Sequence, residues 1–344
     1  EPRHADYFRE RVFACPDGGF RTERVDWTAL APPRPTTPPE DIATFDRPEP
    51  SHADLAASVQ LVVEEVLLDL VAWLRDRVDT DRLCLAGGVA LNCVANTRIH
   101  AESGFRDVWV QPAAGDSGTA LGAALELAAE FDEPIVPMPS AQLGRGWSDE
   151  QIGATLDTAG LRYERPDDLA AVVGDALADN QLIGWFQGRS EFGPRALGGR
   201  SLLVDPRRVD NLERLNAVKG REQFRPVAPM VLAERAAEVF SRGPLPSPYM
   251  LFVHDVAEPW RDRIPAVTHV DGTARIQTVD RSRERLHRTI FRFAERTGVP
   301  VVVNTSFNTA GRPMVDSPRD AVECFGSSPI DLLAMGPYVV RRAR

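Results

Sequence analysis

Lys219 is the only lysine among 40 basic residues. Elsewhere the chain uses arginine, so a position that keeps lysine asks for a compact ammonium rather than a planar fork. Lys219 opens the run Lys-Gly-Arg-Glu-Gln-Phe-Arg-Pro, which places Arg225 six residues on. Two later segments offer complementary groups. His269-Val-Asp-Gly-Thr-Ala-Arg275 contains an imidazole and a guanidinium. Val303-Asn-Thr-Ser-Phe-Asn308 follows an apolar run and presents Ser306 and Asn308 at its end. Hydroxyl and amide groups at a strand end suit nucleotide phosphates, and the cations supply the charge. Taken singly, each residue has a plainer alternative, a solvated lysine or a structural histidine.

Three further places could do chemistry. Gly188-Arg-Ser-Glu-Phe-Gly-Pro-Arg-Ala-Leu-Gly-Gly-Arg-Ser201 puts three arginines and four glycines into 14 residues. Glycine allows unusual backbone angles and arginine gives forked donors, so the loop reads as an anion site. The alternative is that its arginines pair with acids such as Glu191 and Asp205. Leu85-Ala-Gly-Gly-Val-Ala-Leu-Asn92 runs from strand to helix through Gly87 and Gly88, a shape that binds phosphate, with Asn92 adding a polar side chain. Sterics alone can also ask for glycine there. In Gly115-Asp-Ser-Gly-Thr119, Asp116 stands where a strand-end carboxylate ligates a metal or meets a sugar hydroxyl. Helix capping is the plainer reading.

The elements that must position these groups can be read from periodicity. Ser51 caps a helix marked by Leu55, Val59, Val62, Val66 and Leu70. A strand follows at 82–88, a helical stretch at 89–103, a strand at 106–111 and a helix at 120–131. A proline-rich stretch at 132–147 reads as a linker. Beyond it, helices are predicted at 148–160, 167–180, 207–217, 283–297 and 318–325. Strands are predicted at 181–187, 200–204, 227–232, 249–255, 274–279, 299–304 and 335–341. The first half reads as α/β and the second as α+β or a mixed sheet. The first 50 residues read as mostly turn-forming, with a proline-rich loop at 31–50. The missing initiator Met suggests a piece of something longer.

Composition sets outer limits. The 344 residues include 43% hydrophobic and 26% charged residues, an ordinary globular balance with a prior of two domains. A net charge of −10 argues against nucleic acid or a membrane surface as partner. No apolar run approaches the roughly 20 residues of a membrane span. Four scattered cysteines form no CxxC pair, and a cytoplasmic location is expected.

Taken in order, five segments carry a resemblance. They are Gly87-Gly-Val-Ala-Leu-Asn92, Pro112-Ala-Ala-Gly-Asp-Ser-Gly-Thr119, Glu191-Phe-Gly-Pro-Arg-Ala-Leu-Gly198, Phe224-Arg-Pro-Val-Ala-Pro229 and Asn304-Thr-Ser-Phe-Asn308. Together they resemble the nodulation and antibiotic O-carbamoyltransferases, the tobramycin type in particular. The resemblance implies the C-terminal half of an actin-like (ASKHA, Kae1-like) domain at 1–140 and a YrdC-like domain at 141–344. It implies that carbamoyl phosphate and ATP, with Mg²⁺, give carbamoyladenylate in the YrdC-like domain. The Kae1-like domain then passes the carbamoyl group to a small-molecule hydroxyl, such as an aminoglycoside's, in antibiotic biosynthesis. On the motifs, Lys219, Arg225 and Arg275 would be catalytic. Arg195, Ser306, Asn308, Gly87, Gly88, Asn92 and His269 would bind nucleotide and substrate, and Asp116 would ligate iron. The two phosphorylated substrates carry about six negative charges near pH 7, which asks for a dense cationic cradle.

The family's His-x-x-x-His pair has no counterpart among His4, His52, His100, His254, His269 and His287. An incomplete metal site is therefore expected, to be completed by a missing N-terminal half or a companion chain. Three competitors stand beside this reading. A threonylcarbamoyl-adenylate enzyme of tRNA modification would want a positive surface. A hydrogenase-maturation carbamoyltransferase would show CxxC zinc fingers. A nucleotide-binding segment without turnover would bind ATP and stop.

Overall fold

The computed structural model describes residues 1–30 and 52–342. They form two compact units: Glu1–Leu85 with Val94–Trp109, and Ala86–Cys93 with Val110–Arg344. The second unit takes in the stretch from 110 to 140.

In the first unit the helix His52–Arg75 is the organising element. Its apolar face packs Leu55, Val62 and Val66 with Phe8, and further along Val71 meets Leu83, Ile99 and Phe105. Periodicity anticipated this helix, although the expected cap, Ser51, lies outside the described residues, as does the proline-rich loop. The first 30 residues are more ordered than their composition suggested. They contain the helix Ala5–Arg9, the antiparallel strands Val12–Ala14 and Phe20–Thr22, and the helix Trp27–Leu30. Such short elements cannot stand alone in water and form because Phe8 and Leu30 bury against the long helix.

The second unit is built on an eight-stranded mixed sheet. Its order is Gln277–Val279, Ala228–Leu232, Val301–Ser306, Arg200–Val204, Ile183–Phe186, Leu332–Met335, Tyr338–Arg341 and Tyr163–Glu164. Besides the three-residue Gln277–Val279, the four strands at 183–186, 200–204, 228–232 and 332–335 are buried at every position. That explains their nearly continuous apolar sequences, since a strand covered on both faces has no polar side. The helices Leu169–Ala178 and Glu284–Thr297 pack on one another. The second buries Leu286, Ile290 and Phe293, roughly 1.5–3 kcal/mol apiece, and ends at Gly298 in the left-handed conformation. Capping boxes, Ser148 with Gln151 and Ser317 with Asp320, start the helices Asp149–Thr158 and Pro318–Ser327.

Four expected elements are corrected. The strand at 335–341 is a hairpin, Leu332–Met335 and Tyr338–Arg341, reversed at Gly336. The strand at 274–279 is two strands in two sheets. Thr273–Arg275 pairs with Val253–Val256, whereas Gln277–Val279 runs parallel to Ala228–Leu232. The helical stretch 89–103 breaks at Asn92, between the 3₁₀ turn Gly88–Leu91 and the helix Cys93–Glu102. The helix expected at 120–131 begins earlier, as Ser117–Glu130.

Candidate functional site

Lys219 closes the helix Asp210–Val218, and Gly220 beyond it takes a positive φ of 54° that turns the chain away. The strand Val301–Ser306 runs through the sheet and emerges beside it. The Lys219 ammonium donates to the Ser306 carbonyl at 2.6 Å, to Ser306 Oγ at 2.9 Å and to Asn308 Oδ1 at 2.5 Å. All three N–H bonds are therefore used, by three neutral acceptors. The Ser306 hydroxyl in turn donates to Asn308 Oδ1 at 2.7 Å, and Asn308 Nδ2 donates to the Arg312 carbonyl at 2.8 Å. Burial pushes the Lys219 pKa down to about 7, and the positive charge of Arg221 adds to the effect. A nearby anion would reverse it.

Arg195 and Arg275 are the second component. Burial, followed by repulsion from Arg275, lowers Arg195 to about 10, so it stays charged at neutral pH. The Nε atoms of both arginines are buried and have no hydrogen-bond partner among the described residues. Two mutually repelling guanidiniums with orphaned donors are costly unless an anion meets them. Arg195 Nη2 reaches the Leu91 carbonyl at 3.5 Å, in the 3₁₀ turn that contains Gly88. Beyond Arg275, the His269 imidazole is also held below its ordinary range, by burial first and by Arg275 as well. It lies 3.4 Å from the Thr273 hydroxyl.

The sequence missed one member of this cluster. Arg221 is lowered by burial and by the charges of Arg225 and Arg275, so it faces the same cations. Arg225 itself is 54% exposed and paired with Glu222 at 2.8 Å. Of the two arginines after Lys219, the nearer one is the more buried. The available signal was Gly220, whose turn redirects the chain so that residue 221 points back.

The remaining expected residues are more loosely placed. At Gly87 and Gly88 no atom lies within 4 Å of where a Cβ would stand, so the turn opens onto free space. Gly87 N–H donates to the Ala114 carbonyl at 2.8 Å, joining this turn to the one that carries Asp116. Asp116 heads the helix Ser117–Glu130 but its side chain makes no capping hydrogen bond. Among the described residues no group of three His, Cys, Asp or Glu side chains could hold a metal. Asp116 alone does not make an iron site. In the arginine-rich loop, Asp205 pairs with Arg207, and Glu191 accepts backbone N–H groups. Neither acid neutralises Arg195.

A strand end that gathers a buried lysine, in an α/β unit that also buries guanidiniums with unmatched donors, has the chemistry to meet an anion. Comparison with known proteins makes this specific. Residues 40–125 match the carbamoyltransferase N-terminus and residues 174–342 the carbamoyltransferase C-terminus. The chain belongs to the carbamoyltransferase family. It is similar to nodulation protein NolNO of Sinorhizobium fredii, 44% identical over 98% of this chain and 51% of the relative. It is also similar to nodulation protein NolO of Bradyrhizobium diazoefficiens, 42% identical over 85% of this chain and 55% of the relative. The chain spans about half the length of the curated relatives that it matches. Among solved structures, P. abyssi Sua5 complexed with L-threonine matches at 16% identity and a TM-score of 0.37, covering 50% of this chain and 48% of that one. No helix among the described residues is long and apolar enough to cross a membrane.

Proposed function

We propose that residues 141–344 form a YrdC-like site that makes carbamoyladenylate from carbamoyl phosphate and ATP with Mg²⁺. The observation that supports this reading is the run of cations in which a fully hydrogen-bonded Lys219 feels Arg221, Arg221 feels Arg275 and Arg275 feels Arg195, the last two with unmatched buried donors. Water takes the phosphoryl group of carbamoyl phosphate as inorganic phosphate. The carbamate oxygen then attacks the α-phosphorus of ATP, and the bond to pyrophosphate breaks. Lys219 and the arginines hold the crowded phosphates and stabilise the departing pyrophosphate, the electrostatic work that dominates phosphoryl chemistry. Ser306 and Asn308 fix the lysine and offer polar contacts. Residues 1–140 are the C-terminal part of a Kae1-like, actin-like domain. There an acceptor hydroxyl attacks the carbamoyl carbon and AMP leaves. The acceptor is a small natural product such as an aminoglycoside. Transfer draws on residues beyond the half of the relatives' length that this chain spans.

The test incubates the 344-residue chain with ATP, Mg²⁺ and carbamoyl phosphate. Pyrophosphate is followed by a coupled assay and carbamoyladenylate by mass spectrometry. Both are expected from the wild type and neither from Lys219→Ala. Pyrophosphate formation that persists in Lys219→Ala overturns the site. Binding of ATP with no product from the wild type overturns the assignment of activation to this half.

A further inference from the structure

The loop 188–200 is far more constrained than binding one anion requires, and the constraint converges on Glu191. Its side chain is buried, at 8% exposure. Glu191 Oε1 accepts the backbone N–H of Leu197 at 2.7 Å, of Gly199 at 2.6 Å and of Arg200 at 3.4 Å. The carbonyls of the same stretch are taken from the other side by the core. Asn304 Nδ2 donates to Ala196 O at 2.7 Å, Gln277 Nε2 to Leu197 O at 3.0 Å and Trp185 Nε1 to Gly198 O at 2.9 Å. Two glycines make the path possible. Gly193 has a φ of +122°, and a Cβ there would stand 2.7 Å from the Pro112 carbonyl oxygen. Gly198 has a φ of +90° and lies against Leu286.

Most of the polar backbone of residues 196–200 is thus tied down, and Arg195 stands immediately before the tied segment. The other arginines of the loop are spent on carbonyls. Arg189 donates to Leu143 O and Gly144 O, and Arg200 to Gln187 O, Gly188 O and Arg145 O. Of the loop's arginines, Arg195 and Arg200 keep a buried Nε without an acceptor among the described residues, and Arg200 is wholly enclosed, stacked over Phe186 at 3.6 Å.

We infer that Glu191 is a positioning residue, whose buried carboxylate gathers the amides of 197, 199 and 200 and so fixes Arg195 in the pose that meets the substrate phosphates. The inference rests on the proposed anion site. A carboxylate fits this task because charge-assisted hydrogen bonds to backbone amides are short and directional. Arg200 and Arg283 both feel its negative charge, which offsets the cost of burying it. With the loop rigid, Arg195 loses little conformational entropy when it binds an anion.

The experiment titrates inorganic pyrophosphate into the full chain by calorimetry at fixed ionic strength. The proteins are wild type, R195A, E191A, E191Q and the double variant E191A/R195A. R195A is expected to weaken binding on the order of 10–100-fold, as for a lost hydrogen bond to a charged group. E191A is expected to weaken it nearly as much. The double variant should bind no worse than R195A alone, because residues that act through one another are not additive. E191Q should recover most of the affinity, since its amide oxygen accepts the same N–H groups. Where E191A does not fold, E191D replaces it, because one methylene fewer withdraws the acceptor from the amides. Unchanged affinity in E191A or E191D beside a weakened R195A overturns the inference and leaves the anion site standing. So does a double variant whose loss equals the product of the single losses. Unchanged affinity in R195A overturns both.

Discussion

A lysine near pH 7 must gain a proton when a polyanion arrives, and that proton can be counted. In the ligand-free protein, burial first and then Arg221 bring Lys219 to about 7. At pH 8 such a group is charged in roughly one molecule in ten. Phosphate oxygens next to the ammonium favour the charged form and return the pKa toward or above its ordinary value. Binding of ATP with Mg²⁺ should then take up about 0.9 proton per site at pH 8, about 0.5 at pH 7 and about 0.1 at pH 6. Titration calorimetry in buffers of different ionisation enthalpy measures this number directly. ATP contributes little at pH 8, where its terminal phosphate is ionised.

The affinity carries the same signature. Since the bound form needs the proton and the free form loses it above 7, affinity should fall about tenfold per pH unit as pH rises beyond 7. Other groups could imitate the effect, and their directions are known. His269 lies below its ordinary range through burial and stays neutral at pH 8, whereas burial raises the Cys324 thiol, which stays protonated there. Lys219→Met separates them. The reasoning is refuted by an uptake below about 0.2 proton at pH 8 in the wild type. It is equally refuted by an uptake that survives in Lys219→Met.

Two further outcomes are expected. Arg221→Met should weaken pyrophosphate binding by at least about tenfold, whereas Arg225→Met, which removes an exposed residue paired with Glu222, should change it by less than about threefold. Equal effects would remove the distinction between the two arginines. The stability of Lys219→Met relative to wild type should depend on pH. Below pH 7 the wild type keeps a buried charge and its destabilisation is complete. From about 7 to 10.5 the folded protein has released the proton while the unfolded chain retains it, so wild-type stability climbs with pH. Urea midpoints at pH 6 and pH 9 should therefore show the advantage of the methionine variant shrinking at the higher pH. A constant difference would place Lys219 at an ordinary pKa.

The sequence made much of this arrangement legible, and the parts that it hid share a physical reason. Helices such as Glu284–Thr297 and strands such as Arg200–Val204 are written in local periodicity and apolar runs, which burial enforces. The meeting of Lys219 with Ser306 and Asn308 was legible because all three residue types sat at element ends and recurred in a known order. The break at Ile276 was not, because a buried isoleucine suits one long strand as well as two short ones. Yet that break places Arg275 at the end of one sheet, directly before the other begins. Arg221 was hidden by the backbone turn at Gly220, which decides which later side chain points back toward the lysine.

The three arginines of the loop 188–201 make the point most sharply. As residue types they are identical, and each could have met a phosphate or a nearby acid. Arg189 and Arg200 are instead turned onto backbone carbonyls, Arg200 with its unmatched Nε wholly enclosed, and of the three it is Arg195 that feels the charge of Arg275. Availability for a ligand is what remains after the fold has satisfied its own hydrogen bonds. No local pattern contains that remainder. It depends on Glu191, Gln277, Asn304 and Trp185, which lie up to 109 positions away in the chain and hold the backbone that follows Arg195.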